Sequence, residues 1–302
     1  MAESITHQEY YRDWGKYGDD LVRRGETVDD LSWLGEWDSE LERMNEGKRG
    51  RPFEFPLSLF RYCAKQMCSK NITYRMMEGG LRCILGAFGR KAPDHSTIEI
   101  RCSELEWPLE PPAYPKRITC AIDASGVSTT VRGEYLRDAY GLKRGFLKLH
   151  ALVDADDDAI ISYALTDSGT PDKNVALILV DSAVQKGYEI DKALLDAGYD
   201  YREIWVGLME RKIEPAINLR ASDVHANGCL YKGQMIDEWK KLGVKAWKEK
   251  HDYGKRWRAE CTFSDFKRML GGFVRAKKLT RVVKEMSCKV WIHNEYKKIS
   301  CQ

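Results

Sequence analysis

Three acidic residues stand where a carboxylate could do chemistry. Asp123 closes a short apolar run in "CAIDASG", Asp196 closes another in "LLDAG", and Glu260 lies within "DYGKRWRAECTFSDFKRML", residues 252–270. A carboxylate directly after an apolar run sits where a buried strand emerges at the sheet edge, the usual ligand position of an open α/β sheet. Around Glu260, the residues Tyr253, Arg256 and Lys267 complete a series with steps of three, four and seven. At ~3.6 residues per turn all four side chains share one helical stripe, while Trp257, Cys261, Phe263, Phe266, Met269 and Leu270 supply a face to bury.

Like charges in a partly desolvated site raise one another's pKa, so three converging carboxylates need a counter-charge. Hard divalent cations supply it. Mg²⁺ takes oxygen ligands and keeps positions open for phosphate and water, and two such ions ~3.5–4 Å apart activate the attacking oxygen and stabilise the leaving one. The expected chemistry is phosphodiester cleavage, with Asp123, Asp196 and Glu260 holding two Mg²⁺ ions and Mn²⁺ as a substitute. Arg256 and Lys267 would neutralise phosphate oxygens, and Tyr253 would hydrogen-bond a phosphate or pack beside a base. Singly, each acid has a plainer reading: an Asp at a strand end forms a turn, and Arg256 with Glu260 makes an i, i+4 surface pair. Their combination favours catalysis.

The elements that must position these residues follow from pattern. Residues 1–47 read as an acidic helical lead-in, with Leu31, Leu34, Trp37 and Leu41 at helical steps. Residues 48–56 read as a basic linker, because "GKRGRPFEFP" holds two glycines and two prolines. Its "RGRP" core resembles an AT-hook, which would lay Arg49 and Arg51 in a narrow minor groove, although an ordinary basic turn fits the same residues. Residues 57–112 read as a helical, helix-turn-helix-like DNA-binding domain, with Asn71 and either Asp94 or Ser96 as N-caps. Its last helix would offer His95, Ser96, Thr97, Glu99 and Arg101 to a groove.

After the proline-rich "WPLEPPAYPKR" the texture changes to a mixed α/β catalytic domain, residues 113–302. "RITCAIDA", "GVSTTVRG", "FLKLHALVDA" and "AIISYALTD" read as four strands, and "KALLDAG" and "IEPAINL" as two more between helices. Residues 221–250 read as loop, short helix and irregular chain, and the remainder as two helices split by "GGF". "DADDDA", residues 154–159, reads as an exposed hairpin turn, Asp181 as a surface charge and Asp172 as a helix cap. Lys143, Arg144 and Lys148 are expected on DNA backbone, and Trp205 and Trp257 in the core rather than stacked on a base.

The bulk composition fits a soluble chain kept inside the cell: no apolar run approaches a membrane span, and "MAESITHQEYYRDWG" lacks a signal-peptide core. Nine cysteines without a C-x-x-C pair suggest reduced thiols rather than disulfides or structural zinc. The net charge of +3 hides a polarity, with residues 1–50 at −6 and residues 241–302 at +11, and a basic C-terminal region suits a polyanion.

"CAIDASG", "LLDAGYDYREIW" and "YGKRWRAECTFSDFK" together resemble the DDE transposases of bacterial and archaeal insertion sequences. The last fits their Tyr-x2-Arg-x3-Glu-x6-Lys signature at every fixed position. "LVRRG", "GKRGRPF" and "PDHSTIEIR" resemble the N-terminal half of relatives of insertion sequence family 5, so the likeness runs over roughly residues 20–298. It implies a ribonuclease H-like core after an all-helical domain, and Mg²⁺-dependent cleavage and strand transfer at insertion-sequence ends. The partners it implies are double-stranded DNA, both terminal inverted repeats and target, and a second copy of the chain in a synaptic complex. It also implies a cytoplasmic, nucleoid-associated protein with no membrane partner. Glu260 follows Asp196 by 64 residues, which leaves little room for the β-rich insertion of some members, so a hairpin intermediate is not carried over. A structure-specific nuclease on this fold, and a transposase-derived DNA-binding protein without catalysis, are the alternatives.

Overall fold

The computed structural model describes residues 13–129, 146–219 and 228–300. Lys143 and Arg144 lie outside these residues. A single mixed sheet in the order β3-β2-β1-β4-β5 organises the second half. Its centre is β1 (Lys116–Thr129), flanked by antiparallel β2 (Phe146–Asp154) and by parallel β4 (Tyr188–Leu195). β3 (Ile160–Asp167) runs antiparallel to β2, and β5 (Glu214–Ile217) parallel to β4. This is the expected ribonuclease H-like core, preceded by a helical N-terminal part.

The two strands expected from "RITCAIDA" and "GVSTTVRG" are one strand in the described residues. Gly126 does not turn the chain; it pairs with Lys148 in the ladder, and a Cβ there would stand 3.3 Å from the Phe146 ring. A lone Gly without Pro or Asn beside it marks close approach rather than a turn. The strand burial follows: Cys120, Ala121 and Ile122 are buried, as are β2 over Leu149–Asp154 and β4 over Ala193–Leu195, as a sheet centre covered on both faces requires.

The N-terminal half folds as five helices: α1 (Trp14–Asp29), α2 (Trp37–Asn45), α3 (Leu57–Lys70), α4 (Tyr74–Ala87) and α5 (His95–Glu104). Asp94 caps α5 by accepting from Thr97 N. Asn71, by contrast, ends α3 in the left-handed region with φ +56°, and Thr73 caps α4. The 48–56 segment is strapped down. Asn45 bonds both N and O of Phe53, and the Phe55 ring lies between Trp37 and Phe60.

α6 (Lys173–Gln185) covers one sheet face, and α7 (Arg202–Glu210) follows β4. The irregular chain expected over 221–250 contains, within its described part, two helices, α8 (Leu230–Leu242) and α9 (Val244–Lys250). α10 (Trp257–Leu270) packs on β1 and β2, β6 (Phe273–Val274) pairs with the end of β1, and α11 (Leu279–Ser300) runs back against α3, α1 and α10.

The 154–159 turn is a junction rather than an exposed loop. Asp154, fully buried, and Asp157 both pair with Lys116, Asp156 pairs with Lys255 at 2.6 Å, and Asp158 reaches Arg258 and Lys297 at 3.2 and 3.4 Å. Aspartates bury here because basic residues of β1, α10 and α11 surround them. Replacing Asp158 by Asn keeps the left-handed turn residue but removes the carboxylate that Arg258 meets and leaves Lys297 with Asp265 alone. The expected cost is about 1–3 kcal/mol, read as a lower urea midpoint at unchanged m-value.

Candidate active site

Asp123 lies on β1 opposite Ala151, and Tyr163 faces Ala151 on the next strand. Tyr163 donates to Ser287 of α11, so this row of the sheet faces α10 and α11. On the other side β1 pairs with β4 as Ala121 with Leu194; continuing that register by two residues sets Asp196 beside Asp123. Asp196 opens a single 3₁₀ turn, Ala197–Tyr199, and its Oδ1 accepts from Gly198 N at 2.8 Å. Asp123 Oδ1 accepts from Ala124 N at 2.8 Å. In both residues Oδ2 has no hydrogen-bond partner among the described residues.

Glu260 occupies the first turn of α10 and is ion-paired with Arg256. Burial raises the Asp123 carboxyl to about 6; the Ala124 N–H and Arg256 pull it down, and Asp196 and Glu260 push it up. The three acids therefore feel one another's charge. They do not form a ready cage, since no group of three His, Cys, Asp or Glu among the described residues is disposed to hold a metal ion. Glu260 is drawn to Arg256 instead, and its side chain stays 56% exposed. The donor set still suits a hard divalent cation: oxygens only, with unmatched carboxylate charge at a buried strand.

The proposed stripe on α10 is interrupted. Tyr253–Arg256 is a 3₁₀ turn, and the changed pitch swings Tyr253 into the core. Its hydroxyl donates to Leu195 O at 2.9 Å, which ties the chain before Asp196 to the chain before Glu260. Tyr253 thus faces no solvent from which to meet a phosphate. Arg256 is four-fifths buried; burial lowers its pKa, but the bond to Glu260 together with the charges of Tyr253, Glu260 and Asp123 leaves it raised. The Lys267 ammonium has no hydrogen bond or ion pair among the described residues.

Lys148 does not offer its charge outward: its ammonium binds Asp172 at 2.8 Å and Thr170 O at 3.0 Å. Asp172 precedes α6 but makes no cap bond, because Lys148 holds it, with the buried His150 at 3.6 Å. Asp181 is held at the surface by both guanidinium arms of Arg211. Arg49 and Arg51 are exposed, Arg51 being paired with Glu54. On α5, Glu99 pairs with Arg281 of α11, and Arg101 lies over Phe53 and Phe60, so part of the face expected toward DNA is spent on packing.

Trp205 is wholly buried and bonded to Asp200. Trp257, expected in the core, is 54% exposed one residue after Arg256. Its face of α10 lies away from the buried Phe263 and Phe266. Sequence reasoning also missed Tyr199. Its hydroxyl is buried without a hydrogen-bond partner among the described residues, and burial together with Asp172, Asp123 and Asp196 pushes its pKa up.

A family model described as "Transposase DDE domain" matches residues 114–294. The chain belongs to the DDE transposase family. The matched span begins just before β1 and ends within α11, so it encloses Asp123, Asp196 and Glu260. No curated protein matches. Among solved structures, the chain is similar to one from the cryoEM structure of the simian T-cell lymphotropic virus intasome in complex with PP2A regulatory subunit B56 gamma. The identity is 11% and the TM-score 0.28, over 65% of this chain and 64% of that one. The similarity thus spans less than two thirds of that chain. No helix among the described residues is long and apolar enough to cross a membrane.

The raised carboxyl carries a stability consequence. Asp123 in the folded DDE domain keeps its proton up to about pH 6, whereas an unfolded Asp releases it near 4. Its contribution is favourable below pH ~4 and is lost as pH rises to about 6. Asp123→Asn should therefore stabilise the metal-free protein at pH 7.5, by up to about 3 kcal/mol, and leave it unchanged at pH 4. Thermal unfolding at the two pH values checks this, and equal shifts at both would contradict it.

Proposed function

We propose that this protein is a transposase that cleaves and rejoins DNA at the ends of an insertion sequence, of the group with the Tyr-Arg-Glu-Lys signature and related to insertion sequence family 5. The observation that carries this reading is the under-neutralised Asp123 on the central strand, with Asp196 and Glu260 acting on it inside a transposase DDE domain. Asp123, Asp196 and Glu260 would hold two Mg²⁺ ions. Bound there, the ions supply Lewis-acid stabilisation of the phosphoryl oxygens and lower the pKa of the attacking water or 3′-hydroxyl.

The chain's own groups do the positioning. Asp123 and Asp196 keep Oδ1 anchored on backbone N–H groups, which fixes each carboxylate plane and leaves Oδ2 to turn inward. Arg256 must exchange Glu260 for a phosphate, because a guanidinium forks equally well onto either. Lys267, unpaired at the other end of α10, takes a neighbouring phosphate. The exposed Trp257 ring offers a stacking face for an unpaired base. Tyr253 acts on Asp196 through Leu195 and stays out of contact with DNA. Two ends cut together imply a dimer or larger assembly on double-stranded DNA.

Supercoiled plasmid carrying the element's own ends, incubated with Mg²⁺, tests the assignment. Glu260→Gln keeps shape and removes the charge. The variant should bind the ends and cut them slower by on the order of 10³-fold, the several kcal/mol expected of a lost metal ligand. Equal cutting by both proteins would make Glu260 structural and remove the assignment.

A further inference from the structure

α10 ends at Leu270, and Gly271, at φ +80°, and Gly272 turn the chain into β6 beside the end of β1. The next four residues, Arg275-Ala276-Lys277-Lys278, place three cations on the surface. Their backbone is held firmly. Glu285 accepts from Arg275 N and Ala276 N, both at 2.9 Å, and Lys289, itself buried, donates to Phe273 O at 2.6 Å and stands 3.5 Å from Glu285.

The acid nearest this loop is therefore consumed by backbone N–H groups and by Lys289. The side chains of Arg275, Lys277 and Lys278 have no hydrogen bond or ion pair among the described residues, and the first turn of α11 carries no acid. The stem of Lys267 lies over Gly272, its Cδ 3.5 Å from where a Cβ would stand. Four unpaired cations thus run from the end of α10 across β6. Holding like charges together on a fixed backbone costs free energy that a polyanion returns. Phe273 is covered by the Lys289 ammonium at 5.1 Å, and the exposed aliphatic groups nearest the loop, Leu279 and Val283, lie beyond the cations on the start of α11.

We propose that the Arg275–Lys278 loop is a phosphate-binding ridge for duplex DNA beside the cleaved bond, an inference that rests on the transposase reading. Register gives its reach. β6 starts level with Ser128, five residues past Asp123, and Arg275 lies two residues further. At ~3.3 Å per residue that is about 23 Å, or about six to seven base pairs at ~3.4 Å each. Contacts to phosphates carry no sequence information, so the ridge fixes how DNA lies rather than which DNA is bound.

The test uses the full chain and a variant with Arg275→Gln, Lys277→Gln and Lys278→Gln, both checked for equal Tm. Fluorescein-labelled 40-base-pair duplexes carry the element end centrally, and shortened duplexes keep three base pairs on one side or the other. Anisotropy titrations across KCl concentrations should give the variant an affinity lower by on the order of tenfold. Its slope of log K against log salt should be shallower by about 2.7, at ~0.9 per phosphate contact. On the duplex shortened on the contacted side the two proteins should bind alike. Equal affinity and slope on the long duplex, while the natural protein still cuts plasmid, would overturn the ridge alone. Failure of the natural protein both to bind and to cut would overturn the transposase reading and the ridge with it.

Discussion

The molecule is built around a carboxylate that the protein desolvates and does not neutralise. Asp123 sits on the strand with neighbours on both sides, and burial there raises its pKa to about 6. A protein could relieve this cost with one lysine in contact, as it does for Asp154 with Lys116 two strands' ends away. Instead, the register of β4 adds Asp196, and α10 adds Glu260. Each addition worsens the electrostatics. The fold must therefore supply enough apolar packing to hold the three together, and Phe263, Phe266, Leu270 and Tyr253 do so from one short segment.

The same C-terminal chain binds the helical half to the sheet. α11 packs its buried Val282, Met286, Cys288 and Val290 toward α3 and β3, and Trp291 meets Trp107 with ring centroids 5.1 Å apart. Arg281 reaches back to Glu99 on α5, and Ser300 accepts from Arg24 on α1 at 2.7 Å. Four stretches that differ in composition thus share one apolar cluster. A nucleic acid held by the helical half would consequently be held in a fixed register with Asp123, because the linking elements are packed helices rather than open chain.

Much of this was legible in the sequence, and the failures have identifiable causes. Asp123 and Asp196 were singled out because apolar runs of strand length end at them, although Asp123 lies inside β1 rather than at its end. Glu260 was singled out because its neighbours keep helical spacing. Tyr253 was misplaced because periodicity assumes one pitch, and a 3₁₀ turn at Tyr253–Arg256 changes it. Lys148 was read as a DNA contact and Asp172 as a helix cap, since nothing in their 24-residue separation shows that β2 and the start of α6 bring them to 2.8 Å. β6, two residues long, is below what any pattern of alternation can show. Trp257 was assigned to the core by residue type, where the helix face decided otherwise.

The acidic residues also show how a site differs from scaffolding of the same composition. In the 154–159 turn, every Asp meets a cation, Asp154 and Asp157 sharing Lys116, and the pairs join β1, α10 and α11. At Asp123 and Asp196, the carboxylates bond only backbone N–H groups among the described residues, and one oxygen of each is left over. Glu260 borrows Arg256, an i, i+4 neighbour at the exposed end of the site. Permanent partners make the first group structural, since exchanging them for a ligand would undo the packing. The second group can exchange its partners at little cost, and a surplus of negative charge at a strand fixed on both sides favours a cation that arrives from solution. Counting acids does not separate these cases; asking which of them the protein has declined to neutralise does.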